Sequence, residues 1–272
     1  MGRMEFRPGM SSARAPGYHA IVTDEDRIVA ELLRAAQELA GCCESLTFSA
    51  PVRHVYNPLV YAREPHERYL RRFGGRPGRC VLLGMNPGPW GMAQTGVPFG
   101  DVVEVATWLG LGGQVACPPS PHPAKPVRGF ACRRREVSGS RLWGWARRRF
   151  GTPERFFGGF FVANYCPLMF LDAGGRNLTP DRLPAAERGL LLAACDRALL
   201  RVVEALEPTR VVGVGAWAEA QARRALAGRS LAFGRVLHPS PASPPANRGW
   251  AEQAERQLCE QGVRLEPEGA IL

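Results

Sequence analysis

Two amides and one imidazole stand out in this chain, each followed within three residues by a proline and each after an apolar run. Asn86 lies in Gly84-Met85-Asn86-Pro87-Gly88-Pro89, which follows Cys80 to Leu83. Asn164 lies in Ala163-Asn164-Tyr165-Cys166-Pro167, which follows Phe160 to Val162, and His238 opens His238-Pro239-Ser240-Pro241 after Val236-Leu237. The apolar runs read as buried strands that the prolines stop. Ligands of open α/β sheets bind beyond the carboxyl ends of the strands, so the three segments are candidates for one site.

The residue types suggest a chemistry. A primary amide both donates and accepts, so Asn86 could hold a water. Asn164 could accept from an imide N–H while donating to the neighbouring carbonyl, which is the edge that uracil or thymine presents. His238 could donate to a developing oxyanion or act as a general base. Phe99 could stack on a planar ligand. Each has a plainer alternative: a turn cap for Asn86, a turn residue for Asn164, a structural imidazole, a core phenylalanine. The turn from Gly84 to Gly91 can present backbone N–H groups to an anion or a carbonyl, but it is neither a Walker loop nor a GxGxxG. None of the three turns holds an Asp or Glu, so a site poor in charge is expected. Cys166 has no local group that would activate it as a nucleophile.

The elements that must position these groups alternate between strand and helix. Helices are expected over Ile21 to Leu39, Pro65 to Phe73, Asp101 to Leu109 (capped by Asp101), Ser138 to Phe150, Thr179 to Leu206, Trp217 to Ala227 and Ala246 to Leu258. Strands are expected at Cys80–Leu83, Phe157–Val162, Arg210–Val214 and Leu231–Leu237, and Phe48 to Tyr61 reads as extended. Thr179-Pro180 reads as an N-cap with proline at the first helical position. That would bring the Arg176 loop to a helix N-terminus, where a phosphate is favoured. Ala116 to Arg135 is Pro-rich and basic and reads as a surface excursion. The alternation implies a parallel sheet covered on both faces, in one domain over 21–265 with a single core. A flexible arm over 1–20 and a short tail over 266–272 flank it.

The chain has 272 residues, enough to bury a full core, and 45% of them are apolar. No apolar run approaches the roughly 18 residues of a membrane span, and no signal peptide is evident. Eight cysteines show no CxxC pair, which disfavours zinc or iron–sulfur ligation and fits a reducing compartment. Net charge is +10, and of 35 basic residues only Lys125 is a lysine. The arginine excess reads as compositional bias, yet the charge still attracts polyanions. The clusters Arg133 to Arg135 and Arg147 to Arg149 are either solvated faces or phosphate contacts.

Together these segments resemble the single-strand-selective monofunctional uracil-DNA glycosylases. The resemblance rests on Gly84 to Pro89, on Gly91 to Gly100 (GMAQTGVPFG) and on His238-Pro239-Ser240-Pro241. Tyr56-Asn57-Pro58, Glu136-Val137-Ser138-Gly139 and Gly175-Arg176-Asn177-Leu178-Thr179-Pro180 add to it, and it runs from about Leu46 to about Gly262. It implies a three-layer αβα uracil-glycosylase fold around a four-stranded parallel sheet. It implies excision of uracil and 5-substituted uracils, such as 5-hydroxymethyluracil, from single- and double-stranded DNA in base excision repair. No metal or cofactor, a nuclear location and a monomer are also implied.

By position, Asn86 would hold the attacking water and His238 would stabilise the departing base. Asn164 would read the uracil edge, Phe99 would stack on the ring, and Met85 and Gly88 would line the pocket by main chain. Arg176, Asn177, Thr179, Ser240, Ala242 and Arg248 are the candidate DNA contacts. The chain departs from the resemblance where Ala242 stands for an expected arginine, with Arg248 nearby as a possible substitute. Tyr165 and Trp90 also stand where an aliphatic residue and a phenylalanine are expected. No lysine stands in the three motifs, which argues against a Schiff-base lyase step. Two other classes remain open: a DNA-binding protein of this fold without activity, and a hydrolase of free nucleotides.

Overall fold

A computed structural model gives the architecture and describes Met1 and residues 23–265. The rest of the expected arm and the tail over 266–272 lie outside the described residues. In chain order the elements are α1 (Asp24–Glu44), β1 (His54–Tyr56), α2 (Pro58–Tyr61), α3 (Arg63–Phe73), β2 (Cys80–Gly84), α4 (Met92–Thr95), α5 (Val102–Thr107) and α6 (Val137–Phe150). There follow α7 (Pro153–Gly159), β3 (Phe160–Asn164), β4 (Met169–Leu171), β5 (Asn177–Leu178), α8 (Ala185–Leu206), β6 (Arg210–Val214), α9 (Ala216–Ala225), β7 (Ala232–Val236) and α10 (Trp250–Glu260).

The central sheet is parallel, four-stranded and ordered β3-β2-β6-β7. Its strands are mostly apolar on both faces, as a helix-covered parallel sheet requires, and only the edge strand β7 exposes a charged residue, Arg235. Side chains alternate between the faces. Phe160 therefore meets Phe156 of α7 and Trp145 of α6 at 5.2 and 6.1 Å between ring centroids. Its neighbour Phe161 meets Tyr69 of α3 at 5.6 Å on the other face. On that face α1 packs along α8. The fold is thus the expected mixed α/β layering.

Several expectations are corrected. The second strand was expected from Phe157, but Phe157 belongs to α7. Thr152 accepts from the Arg155 N–H, and Pro153 stands in the first turn, so local capping starts a helix despite the aromatic run. The strand therefore begins at Phe160 and ends on Asn164 itself. Thr179-Pro180 does not open a long helix. It opens a 3₁₀ turn over Pro180–Arg182, and Thr179 makes no capping bond. Leu183, forced extended by Pro184, separates that turn from α8. The Arg176 loop therefore does not lead into the N-terminus of α8.

The extended reading of Phe48 to Tyr61 holds only for β1, after which Pro58 starts α2. α10 begins at Trp250, behind a 3₁₀ turn over Pro244–Asn247, not at Ala246. The expected single core also divides. A smaller cluster of Tyr56, Tyr61, Ala62, Ala93, Val127, Met169 and Leu171 lies apart from the main one. It sits by an antiparallel sheet ordered β1-β4-β5, whose strands of two or three residues are too short to show a period in the sequence.

Candidate active site

The three motif segments leave the same edge of the sheet, from the carboxyl ends of β2, β3 and β7. Gly84 and Asn164 are register partners there. Beyond this edge opens a cavity of about 390 Å³. Its walls include Met85, Asn86, Gly88, Phe99, Asn164, Asn177, Thr179, His238 and Ser240. The fold thus gathers both amides, the imidazole and the phenylalanine, although long stretches of chain separate them. Arg176, Ala242 and Arg248 lie outside the wall. Arg176 is largely exposed and its Nε donates to Asp172 Oδ2 at 2.6 Å, while Ala242 and Arg248 are exposed on the loop after His238. A second cavity of about 80 Å³ behind Asn164, among α1, α3, α8 and the sheet, is nearly all apolar.

Backbone contacts set the direction of each functional group. Asn86 Nδ2 donates to the Leu168 carbonyl at 3.1 Å. A carbonyl only accepts, so the NH2 end of Asn86 must face it and Oδ1 remains as the acceptor end. His238 Nδ1 accepts from the Ser240 N–H at 3.1 Å. That bond requires an unprotonated Nδ1, so the ring is neutral with its proton on Nε2. Burial lowers the His238 pKa from its ordinary value, which also favours the neutral ring. The imidazole is therefore a hydrogen-bond donor at neutral pH. Asn164 Nδ2 points at the Met92 sulfur, a weak acceptor, at 3.2 Å. A ligand carbonyl would replace that partner at a gain.

Phe99 holds a left-handed backbone at φ +52°. Such a conformation in a bulky residue costs on the order of 1–3 kcal/mol and persists only where its surroundings impose it. Here the Trp143 indole donates to the Phe99 carbonyl at 2.9 Å, and the Asp101 N–H donates to the same oxygen at 2.8 Å. The Phe99 ring lies 6.3 Å from the His238 ring, between centroids. Gly84 beneath them has no room for a β-carbon, which would strike both Asn164 Oδ1 and the Phe99 ring. The motif glycine is thus explained by close approach.

The expectation of a site poor in charge needs correction. Glu136, from the segment before α6, forms part of the cavity wall. Its N–H donates to Asp101 Oδ2 at 2.8 Å. Asp101 also caps α5 and binds Arg135 Nε at 2.9 Å, so it fixes where Glu136 stands. The Glu136 carboxyl packs where β-carbons on Gly88 and Gly91 would be, and its Oε2 is buried with no hydrogen-bond partner. Burial, then the Asp101 charge, push its pKa up to about 7, and the nearby Gly139 amide draws it back only in part. Sequence distance hid this residue, since it lies 48 positions after Gly88. Arg141 was also missed. From α6 it donates to the Pro239 carbonyl at 3.0 Å and to Asn247 Oδ1 at 2.8 Å, pinning the loop that carries His238.

Glu136 makes stability depend on pH. Between about 4.5 and 7 the folded chain keeps a proton that the unfolded chain has released. Stability from this group is therefore present below that window and is lost as pH rises through it. Glu136→Gln should flatten the fall in thermal midpoint across the window. Parallel curves for the two proteins would show that Glu136 does not titrate there.

Among the described residues, no group of three His, Cys, Asp or Glu side chains is placed to hold a metal ion. Cys166 is buried, with Sγ against the Leu168 backbone. No helix of the described residues is long and apolar enough to cross a membrane.

Comparison with known proteins accords with this geometry. The family model described as UDG, Uracil DNA glycosylase superfamily, matches residues 72–261. The chain is 51% identical over 245 residues to the single-strand selective monofunctional uracil-DNA glycosylase of Rattus norvegicus, covering 89% of this chain and 87% of that protein. To the protein of the same description in Bos taurus it is 52% identical over 235 residues, covering 86% and 85%. Among solved structures, SMUG2 of Pedobacter heparinus matches with a TM-score of 0.59 at 17% identity, over 83% of this chain and 96% of that one. That likeness is one of fold.

Proposed function

The chain belongs to the uracil DNA glycosylase superfamily, and from that premise we propose that it excises uracil and 5-substituted uracils such as 5-hydroxymethyluracil from DNA. The reaction is hydrolysis of the bond between the base and C1′ of the sugar. The C1′–N1 electron pair leaves with the base, water oxygen bonds to C1′, and a proton from that water ends on the base. The transition state carries positive charge on the sugar and negative charge on the departing uracil.

Asn86 Oδ1 accepts a hydrogen bond from the attacking water and holds it in place. His238 Nε2–H donates to a uracil oxygen as negative charge builds there. Asn164 reads the imide edge, accepting from N3–H and donating to O4. Phe99 stacks on the ring, and the main chain of Met85 and Gly88 closes the pocket. An aimed donor of this kind is worth roughly 3–4 kcal/mol. The base must first leave its stack, at a cost of a few kcal/mol that is least in a single strand. DNA as substrate agrees with the positive net charge, and the proposal places the activity in the nucleus.

One observation carries the reading: a neutral His238, locked as an Nε2–H donor, stands in one cavity with both amides and Phe99. The test compares a uracil-bearing oligonucleotide with free deoxyuridine. The proposal expects excision from the oligonucleotide, slowed by salt, and little from the nucleoside. Faster, salt-insensitive cleavage of the nucleoside would replace it with a nucleotide hydrolase.

The loop after His238 offers a second test. Ala242 is exposed there, its N–H bound to Ser240 Oγ at 3.1 Å. An arginine at this position would fill the gap left by a flipped base. Ala242→Arg should raise excision from duplex DNA several-fold more than from single strands, because only the duplex must be unpaired. The gain should shrink with salt. Equal effects on the two substrates would show that this loop is no wedge.

A further inference from the structure

The basic loop expected to be a mere surface excursion is bound to the wall of the cavity. Gln94, fully buried in α4, makes the connection. Its Nε2 donates to the Pro89 carbonyl at 2.8 Å and to the Pro126 carbonyl at 3.0 Å, and its Oε1 accepts from the Arg128 N–H at 2.8 Å. One side chain therefore joins the motif turn to the loop. Tyr56 holds the loop from the other side, with its hydroxyl donating to the Lys125 carbonyl at 2.8 Å and accepting from the His122 N–H at 2.6 Å. Beyond Arg134, the Arg135–Asp101 ion pair fixes the far end.

Four cations project from this pinned backbone: Lys125, Arg128, Arg133 and Arg134. Among the described residues none of them has a carboxylate partner. Elsewhere many arginines, though not all, have a carboxylate partner. In α6, Arg147 pairs with Glu104 at 3.7 Å and Arg149 with Glu255 at 3.9 Å. Two of the four free cations gather over a single ring. Lys125 Nζ lies 5.0 Å and Arg134 Cζ 4.5 Å from the centre of the Trp90 ring. Trp90 follows Pro89, which lines the cavity. The ring attracts each cation, and an anion beside the ring would be favoured by both charges.

We propose that the loop from Lys125 to Arg134, anchored through Trp90, is the surface that holds the backbone phosphates of the DNA strand on one side of the excised nucleotide. The proposal rests on the glycosylase reading for the identity of the polyanion. Phosphates fit four unpaired cations on a rigid backbone, because each contact then costs little ordering entropy. Contacts to phosphates carry no sequence information, so the proposed contribution is independent of sequence.

The test is affinity against salt for a single-stranded oligonucleotide carrying an uncleavable uracil analogue. It compares the full chain with Arg133→Ala/Arg134→Ala, with Lys125→Ala/Arg128→Ala, and with the control Arg223→Ala on α9, whose guanidinium already pairs with Glu219. Each double variant should lose about tenfold in affinity at low salt and about 1.4 in the slope of log affinity on log salt, the share of two phosphate contacts on a single strand. The control should match the unsubstituted chain. Double variants with the slope and affinity of the control would overturn the proposal, as would salt-independent binding by the unsubstituted chain. A reduced slope in a protein that releases no uracil would sink the glycosylase reading and leave the phosphate surface standing.

Discussion

Asn86→Ala and His238→Leu should each lower single-turnover excision of uracil by about two to three orders of magnitude, the scale of one lost oriented donor or acceptor. In the proposed reaction the two residues act on opposite partners. Asn86 is held by the Leu168 carbonyl with its oxygen left as the acceptor end, and His238 is held by the Ser240 N–H with its Nε2 proton left to donate. The proposed roles lie in the chemical step and not in holding DNA. Affinity for an oligonucleotide with an uncleavable uracil analogue should therefore change far less than the rate. A variant that loses affinity as steeply as rate would remove that residue from the chemical step. Removing both together should cost less than the product of the single effects if water attack and base departure belong to one transition state.

Asn164→Asp should lower uracil excision by about two orders of magnitude, because a carboxylate opposite uracil O4 sets two acceptors against each other and leaves both unpaired. The amide stands at the end of β3 against Gly84, whose missing β-carbon makes room for its Oδ1. Protonated, the new side chain presents a donor and an acceptor in the order that cytosine needs, so weak excision of cytosine should appear. Unchanged uracil turnover would place Asn164 outside the base-reading pocket.

Much of this was legible because the motif residues sit at strand ends. Parallel strands buried on both faces read as continuous apolar runs, and the prolines after Gly84, Asn164 and Leu237 mark where the runs stop. Asp101 was legible as a cap for a similar reason, since the interaction spans only three positions, to Glu104. What failed to show was either locally ambiguous or distant. Phe157 belongs to an aromatic run with strand propensity, and the Thr152-Pro153 helix start overrides it. Thr179-Pro180 carries a helix signal, and Pro184 cancels it five residues later.

The distant contacts are the functionally richer part. Glu136, Arg141 and Gln94 have no local signature of a role. Each gains one only when α4 and α6 fold beside the motif turn and the His238 loop. Gln94 and Glu136 both lay within segments that resemble the glycosylases, so the resemblance pointed at their importance without saying what they touch.

The identity of the products bears most directly on the central claim. A single-stranded oligonucleotide with one uracil, incubated with the full chain, should yield free uracil and an unbroken strand with one abasic site, in equal amounts. Strand breakage without added alkali, or recovery of the oligonucleotide with its uracil in place, would contradict the account.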